Sequence, residues 1–239
     1  MNARTPLRRL KVCGVVSAED AALSLDVAAR CFGSLRGGVR GAPDEMLIGM
    51  ILWPHSIRSV KSKTDARAIA DAARDRGATP VGVFVDESFE QVEQWVAWTG
   101  IDTIQLHGAG VRAAMQTADA VAGSTALNLN MIHVVDVDAQ GSAERSSTKQ
   151  KHEWCLYDAK GGGTGTSFDW SRFRAPPSDV NWMLAGGLTP ENVAEAICML
   201  RPPGLDVASG VANQDRCRKD ETRLQRFYEN VRAAYGAAE

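Results

Sequence analysis

Two side chains stand where acid and base work could be divided. Cys13 closes the run RLKVC, and Asp158 closes WCLYD just before AKGGGTG. A carboxylic acid that holds its proton and a thiol that has lost its own make a workable acid and base pair. Each has a plainer reading as well. A cysteine in an apolar strand is commonly a small buried hydrophobe, and an aspartate at a strand end commonly forms a turn or caps a helix. Glycine-bearing loops point to a second kind of chemistry. Gly163, Thr164 and Gly165 follow Asp158, Gly186 and Gly187 lie in LAGGLTP, and Ser209 and Gly210 lie in LDVASG. Glycine lets backbone N–H groups approach an anion with no Cβ in the way, and a helix N-terminus behind the loop adds a favourable dipole. One such loop is an ordinary connector, whereas three at successive strand ends point to phosphate.

The elements that must position these residues are short β-type runs, each closing on polar or glycine-bearing residues. They are RLKVCGV from Arg9, MLIGMIL from Met46, PVGVFV from Pro80, DTIQLH from Asp102, ALNLN from Ala126, WCLYD from Trp154, NWMLAGG from Asn181 and LDVASG from Leu205. Their starts lie 22 to 37 residues apart. Such gaps hold a crossover helix and are too long for hairpins, so the strands are expected to pair in parallel. Several gaps carry helix starts. Ser17 precedes AEDAALSLDVAAR, Ser88 precedes FEQVEQWVAW with Gln91 in the capping-box position, and Thr189-Pro190-Glu191 opens ENVAEAICML. KDETRLQRFYENVRAAY, from Lys219, spaces Leu224, Phe227, Val231 and Tyr235 along one helical face. The pattern predicts an α/β fold, a (β/α)8 TIM barrel filling residues 1–239 as one domain; a doubly wound open sheet is the alternative. Two stretches break the alternation. GSLRGGVRGAPDE makes a flexible, exposed insertion over about residues 33–45, and the polar segment between Asn130 and Trp154 reads as an irregular loop. In a barrel, chemistry collects at the C-terminal ends of the strands, and phosphate is often held by the loops after strands seven and eight. Cys13, Asp158 and the glycine loops all fall there.

Composition narrows the function classes. A formal net charge of −2 with scattered basic residues argues against nucleic acid, and no apolar run approaches a membrane span. Cys13, Cys31, Cys155, Cys198 and Cys217 are odd in number and form no C-x-x-C pair, which fits a reducing compartment. His55, His107, His133 and His152 show no metal-ligand spacing. The expectation is a soluble monomer acting on a small phosphorylated molecule, without nucleic acid or membrane. It would reside in the cytoplasm, or in the plastid stroma if the Arg-bearing, acid-free opening MNARTPLRRL is the remnant of a trimmed transit peptide.

The runs LKVCGV, GMILWPHSIRSV, PVGVFVDES, IQLHG, YDAKGGGTGTSFDW, LAGGLTPENVAEAI and LDVASGV together resemble the phosphoribosylanthranilate isomerases of tryptophan biosynthesis, in the form of the plant and algal branch. They run in that family's order from residue 10 to about residue 235. The resemblance implies a (β/α)8 barrel and an Amadori rearrangement, an aldose–ketose isomerisation with neither metal nor organic cofactor. It also implies that Cys13 is the general base and Asp158 the general acid. Arg58, in PHSIRSV, matches the position that pairs with the substrate's aromatic carboxylate, for which a planar guanidinium is suited. Gln105 and His107 would shape the rim, and Trp53 could wall the pocket, although a structural histidine and a packed aromatic are the plainer readings.

Three departures mark this chain. The family commonly writes its strand-eight loop SSGVE, where this chain has Ala208-Ser209-Gly210-Val211-Ala212; Thr166 replaces a common lysine; and the insertion lengthens the first αβ connection, on the face opposite the chemistry. Loss of a hydroxyl at Ala208 leans toward an idle phosphate-binding barrel, and intact Cys13, Asp158 and Arg58 lean against it. Another phosphosugar isomerase or lyase on the same barrel is the enzymatic alternative. Ala208→Ser is expected to lower KM modestly in an isomerase assay, whereas an unchanged KM would show that the hydroxyl is dispensable.

Overall fold

Residues at a spacing of two face one side of a β-pleat, and a parallel sheet is covered on both sides, so strands of this kind are buried at nearly every position. The computed structural model describes residues 5–35, 37–122, 129–143, 153–160 and 167–237. Their eight strands close into a parallel barrel: β1 (Arg9–Cys13), β2 (Glu45–Ile51), β3 (Thr79–Phe84), β4 (Thr103–Leu106), β5 (Asn130–Val137), β6 (Trp154–Ala159), β7 (Trp182–Leu184) and β8 (Gly204–Val207). β8 returns to β1 with Arg9 beside Gly204 and Lys11 beside Asp206, which closes the ring. The open-sheet alternative is thereby excluded.

The fifth strand lies further along than expected. ALNLN begins at Ala126, and Ala126 to Asn128 lie outside the described residues; the strand itself is Asn130–Val137, begun where Asn130 N–H donates to Asp102 C=O at 2.8 Å. ALNLN alternates more cleanly, and it is the ladder with β4, Thr103 beside Asn130 and Gln105 beside Ile132, that sets the strand here. The polar segment expected between Asn130 and Trp154 is therefore strand in its first part.

Among the described residues six α-helices surround the sheet: α1 (Ala18–Phe32), α2 (Lys63–Asp75), α3 (Phe89–Thr99), α4 (Ala109–Ala122), α5 (Val193–Leu200) and α6 (Glu221–Gly236). Ser17 caps α1 by accepting from Asp20 N–H, and Ser88 forms the full capping box with Gln91 on α3. The start of α5 differs from the expectation. Thr189 N–H donates to Asn192 Oδ1 and Asn192 Nδ2 donates to Gly187 C=O, which ties residues 187–192 into a turn and delays the helix to Val193. The last helix begins at Glu221 behind an Asp220 cap, leaving Lys219 free to turn inward. Among the described residues no helix follows β5 or β6. There the outer face of the barrel is covered by aromatics, with Phe173 packed at 5.2 Å from Phe168, 5.3 Å from Tyr157 and 6.0 Å from Trp182.

The insertion lies where the strands begin. Asp44 N–H reaches Leu7 C=O at 3.3 Å, and a Cβ on Gly41 would stand 2.6 Å from Arg232 C=O on α6. It is thus at the opposite end of the barrel from Cys13 and Asp158.

Pleat alternation sorts the side chains into two sets. Leu10, Val12, Met46, Ile48, Ile104, Leu205 and Val207 face outward with Leu25, Phe32, Phe227 and Tyr228 of α1 and α6. Leu47, Val81, Ile132, Val134, Trp154, Leu156, Met183 and Ala185 fill the interior. By the same alternation Lys11 and Cys13, Gln105, Asp136, Asp158 and Asp206 face inward. The inner apolar layers plug the barrel, and the polar set forms a floor and rim above them. Phe227 is fully buried on α6, in the outer apolar layer. Phe227→Ala is expected to cost about 3–5 kcal/mol in urea unfolding with little change in the m-value.

Candidate active site

Cys13 and Asp158 occupy inward positions at or next to the C-terminal ends of β1 and β6, and are 6% and 8% exposed. A carboxyl so poorly hydrated resists ionisation. Burial is the main cause that pushes Asp158 up to about 7, and the like charges of Asp206 and Asp136 add to it; the Ala159 N–H and the Lys11 ammonium pull the other way. Asp136 is the direct register neighbour of Asp158 across the β5–β6 pair.

Three inward residues, Lys11, Asp136 and Asp206, went unnoticed in the sequence. Lys11 is fully buried, and its Nζ donates to Asp206 Oδ1 at 3.0 Å, a pair set by their adjacent places in the β1–β8 register. Burial opposes the Lys11 charge, but Asp206 and the Cys13 sulfur outweigh it and raise its pKa. Gly49, beside Cys13 in the ladder, makes room: a Cβ there would lie 3.0 Å from Lys11 Nζ and 3.1 Å from Cys13 Sγ. Lys11 therefore sits between the thiol and the acidic cluster. A signal was available. Lys11 stands two residues before Cys13 in LKVC, and Asp206 alternates with outward Leu205 and Val207, so period two alone puts both charges inside.

The rim completes the site. Arg58, in the loop after β2, is 5% exposed, and its Nε and Nη1 have no hydrogen-bond partner. It crosses Gly14, whose φ of +68° and lack of Cβ admit the arginine; a Cβ would lie 2.8 Å from Arg58 Cδ. Gln105 on β4 approaches His107 with Nε2 3.5 Å from Nδ1, and its Oε1 is left without a partner. Burial lowers the pKa of His107, which keeps the imidazole neutral. Trp53 stacks edge-on to His55 at 5.2 Å with its Nε1 unpaired.

The glycine loops interlock in strand order. Gly186, at φ +82°, lies where a Cβ would meet Ala159 N at 2.7 Å and Asp158 Oδ1 at 3.0 Å, and Gly187 follows at φ +66°. Ser209 and Gly210 form a short 3-10 turn after β8, pressed so closely on the loop after β7 that a Cβ on Gly210 would overlap Leu188 C=O. Gly163, Thr164, Gly165 and Thr166 lie outside the described residues. Among the described residues no three His, Cys, Asp or Glu side chains converge as a metal site requires, and no helix is long and apolar enough to cross a membrane.

These features define a (β/α)8 barrel that gathers a buried thiol, carboxyls and a lysine at the C-terminal ends of its strands, beside glycine-bearing loops. The family model for N-(5'-phosphoribosyl)anthranilate isomerase matches residues 42–230. N-(5'-phosphoribosyl)anthranilate isomerase 1, chloroplastic, of Arabidopsis thaliana is 33% identical over 231 residues, covering 95% of this chain and 75% of its own. The phosphoribosyl anthranilate isomerase of Thermotoga maritima superposes with a TM-score of 0.66 at 28% identity, over 94% of this chain and 98% of its own. A phosphoribosyl anthranilate isomerase solved with reduced 1-(o-carboxyphenylamino)-1-deoxyribulose 5-phosphate gives 0.63 at 26%, over the same shares. The chain belongs to the phosphoribosylanthranilate isomerase family.

The Asp158 shift has a consequence for stability. Its folded pKa is raised above the unfolded value of 3.8, so the folded state holds the proton more tightly and loses stability as pH rises from about 4 to about 7. Asp158→Asn removes that loss. It is expected to raise Tm by several degrees at pH 8 and to change it little near pH 4, measured by differential scanning calorimetry.

Proposed function

We infer that this chain, working as a single-domain monomer, converts N-(5'-phosphoribosyl)anthranilate to 1-(2-carboxyphenylamino)-1-deoxyribulose 5-phosphate. The observation that carries the reading is Asp158: a buried carboxyl held up to about 7, on the rim of a barrel of this isomerase family. Only a carboxyl that keeps its proton near neutrality can donate it.

Asp158 protonates the furanose ring oxygen while the anthranilate nitrogen pushes its lone pair into C1. The C1–O bond breaks, leaving a protonated Schiff base and an Asp158 carboxylate. Cys13, as thiolate, takes the proton from C2, and those electrons form the enolamine. Tautomerisation returns a proton to C1 and leaves the ketone at C2. Asp136 and Asp206 help to keep Asp158 protonated before the first step, and Lys11 lies against the sulfur. The new carboxylate is stabilised by the Ala159 N–H and the Lys11 charge.

Binding uses the rest of the rim. Arg58, buried and with two unpaired guanidinium nitrogens, takes the aromatic carboxylate, and Gln105 and His107 line the pocket. Gly186, Gly187, Ser209 and Gly210 take the phosphate on backbone N–H groups, together with Gly163, Thr164 and Gly165. The solved relative bound to a reduced carboxyphenylamino-deoxyribulose phosphate supports a ligand with both anionic ends. The chloroplastic relative and an odd number of cysteines with no C-x-x-C pair support residence in the plastid stroma or cytoplasm.

The test is loss of phosphoribosylanthranilate fluorescence on addition of the purified protein. Cys13→Ala and Asp158→Asn are each expected to lower kcat by orders of magnitude, about 10²–10⁴-fold. Near-parent rates in either variant would remove that residue from the mechanism. Because the acid must be protonated, parent kcat should fall as pH rises through about 7; a rate flat across that range would remove Asp158 as proton donor.

A further inference from the structure

The end of β1 gathers more positive charge than Arg58 alone. Lys219, in the turn before α6, is 5% exposed and runs its side chain to the rim, where Nζ donates to Cys13 C=O at 2.6 Å and to Ala208 C=O at 3.1 Å. Arg58 approaches the same stretch of chain: its Cδ and Nε both lie 2.8 Å from where a Cβ on Gly14 would stand. Two buried cations thus converge on the Cys13–Gly14 peptide.

Neither is paired with a carboxylate, although Cys13 lies beside Lys219 and favours its charge. Among the described residues no carboxylate lies within salt-bridge distance of Arg58 or Lys219. The Lys219 ammonium spends two of its three N–H donors on neutral carbonyls. Asp20 on α1 accepts from the Lys219 backbone N–H, and Asp206 on β8 is already bonded to Lys11. Buried cations left unpaired are costly to the fold, and an anion that enters between them recovers that cost as binding. A surface lysine or a structural tether would not need to hold its charge beside an unpaired arginine.

Resting on the isomerase reading above, we propose that Lys219 is a binding residue for the substrate's aromatic carboxylate, its buried ammonium completing with Arg58 a two-cation subsite at the end of β1. The carbonyls of Cys13 and Ala208 fix the ammonium in place. The same tether joins the strand that bears the base to the loop that receives the phosphate.

The subsite has a built-in pH dependence. Burial is the largest cause lowering Lys219 to about 8, and Arg58 adds to it, while Cys13, Asp20 and Asp206 hold it up. Lys219 is charged below that pH and neutral above it, so carboxylate binding weakens as pH rises through about 8. Arg58 stays charged throughout.

Binding of two probes separates this from other roles: reduced 1-(o-carboxyphenylamino)-1-deoxyribulose 5-phosphate, and the same compound without its ring carboxylate. Calorimetric Kd values would be taken on either side of pH 8 for parent, Lys219→Met and Lys219→Arg. For the parent, the carboxylated probe should weaken about ten-fold across that pH and the other change little. Lys219→Met should lose the same factor at low pH for the carboxylated probe only, and Lys219→Arg should bind it with a flat profile. Equal losses for both probes would overturn the proposal, since phosphate binding or folding would then be the role. An unchanged Lys219→Met would overturn it too. Should Lys219→Met fail to fold, the parent profile and Lys219→Arg still decide. Binding of neither probe by the parent would instead overturn the isomerase reading, which the turnover assay checks separately.

Discussion

The site depends on the buried pair between Lys11 and Asp206. A closed parallel barrel has no edge and no wet interior face, so charges pointing inward cannot be hydrated and must be matched inside. The β1–β8 seam supplies the match, because register sets the two residues side by side at 3.0 Å. The pair does more than neutralise itself. Asp206 is a carboxylate that Asp158 must face, and Lys11 is a cation lying against the Cys13 sulfur. Asp158 and Cys13 thereby meet opposite charges.

Around that pair the buried ionisable groups lie on β1, β5, β6 and β8, whereas Arg58 and the close-packed glycines lie in the loops after β2, β7 and β8. Interlocked glycines tie the second set together, Gly186 against β6 and Gly210 against the loop after β7. Lys219 links the end of β1 to the loop after β8 through two carbonyls. The site's charges and unpaired polar atoms are a cost to stability, carried by the large outer apolar layer against α1 and α6.

Much of this was legible in the sequence, and the misses share a cause. Period two and helix caps located seven strands, α1, α3 and the barrel itself, and strand-end position picked out Cys13 and Asp158. The fifth strand went astray because ALNLN and NMIHVVDV overlap as apolar runs and only the β4 ladder chooses between them. The start of α5 was set by Asn192 reaching back to Gly187, a contact that Thr189-Pro190 does not announce. Lys11 and Asp206 were within reach of the same alternation, but charged residues inside strands are easily taken for solvent-facing ones. Lys219 was beyond reach, since it reads as the first residue of a helix.

The sequence by itself determined the order of elements, the family and the chemical types at each strand end, because these follow from local periodicity and from motifs that are contiguous in the chain. Only the tertiary structure decided which charges meet. Lys11 and Asp206 are 195 residues apart, and Lys219 and Cys13 are 206 apart; ring closure brings both pairs into contact. The proton on Asp158 belongs to this second class. It is held by burial and by like charges from other strands, and neither exists until the barrel closes.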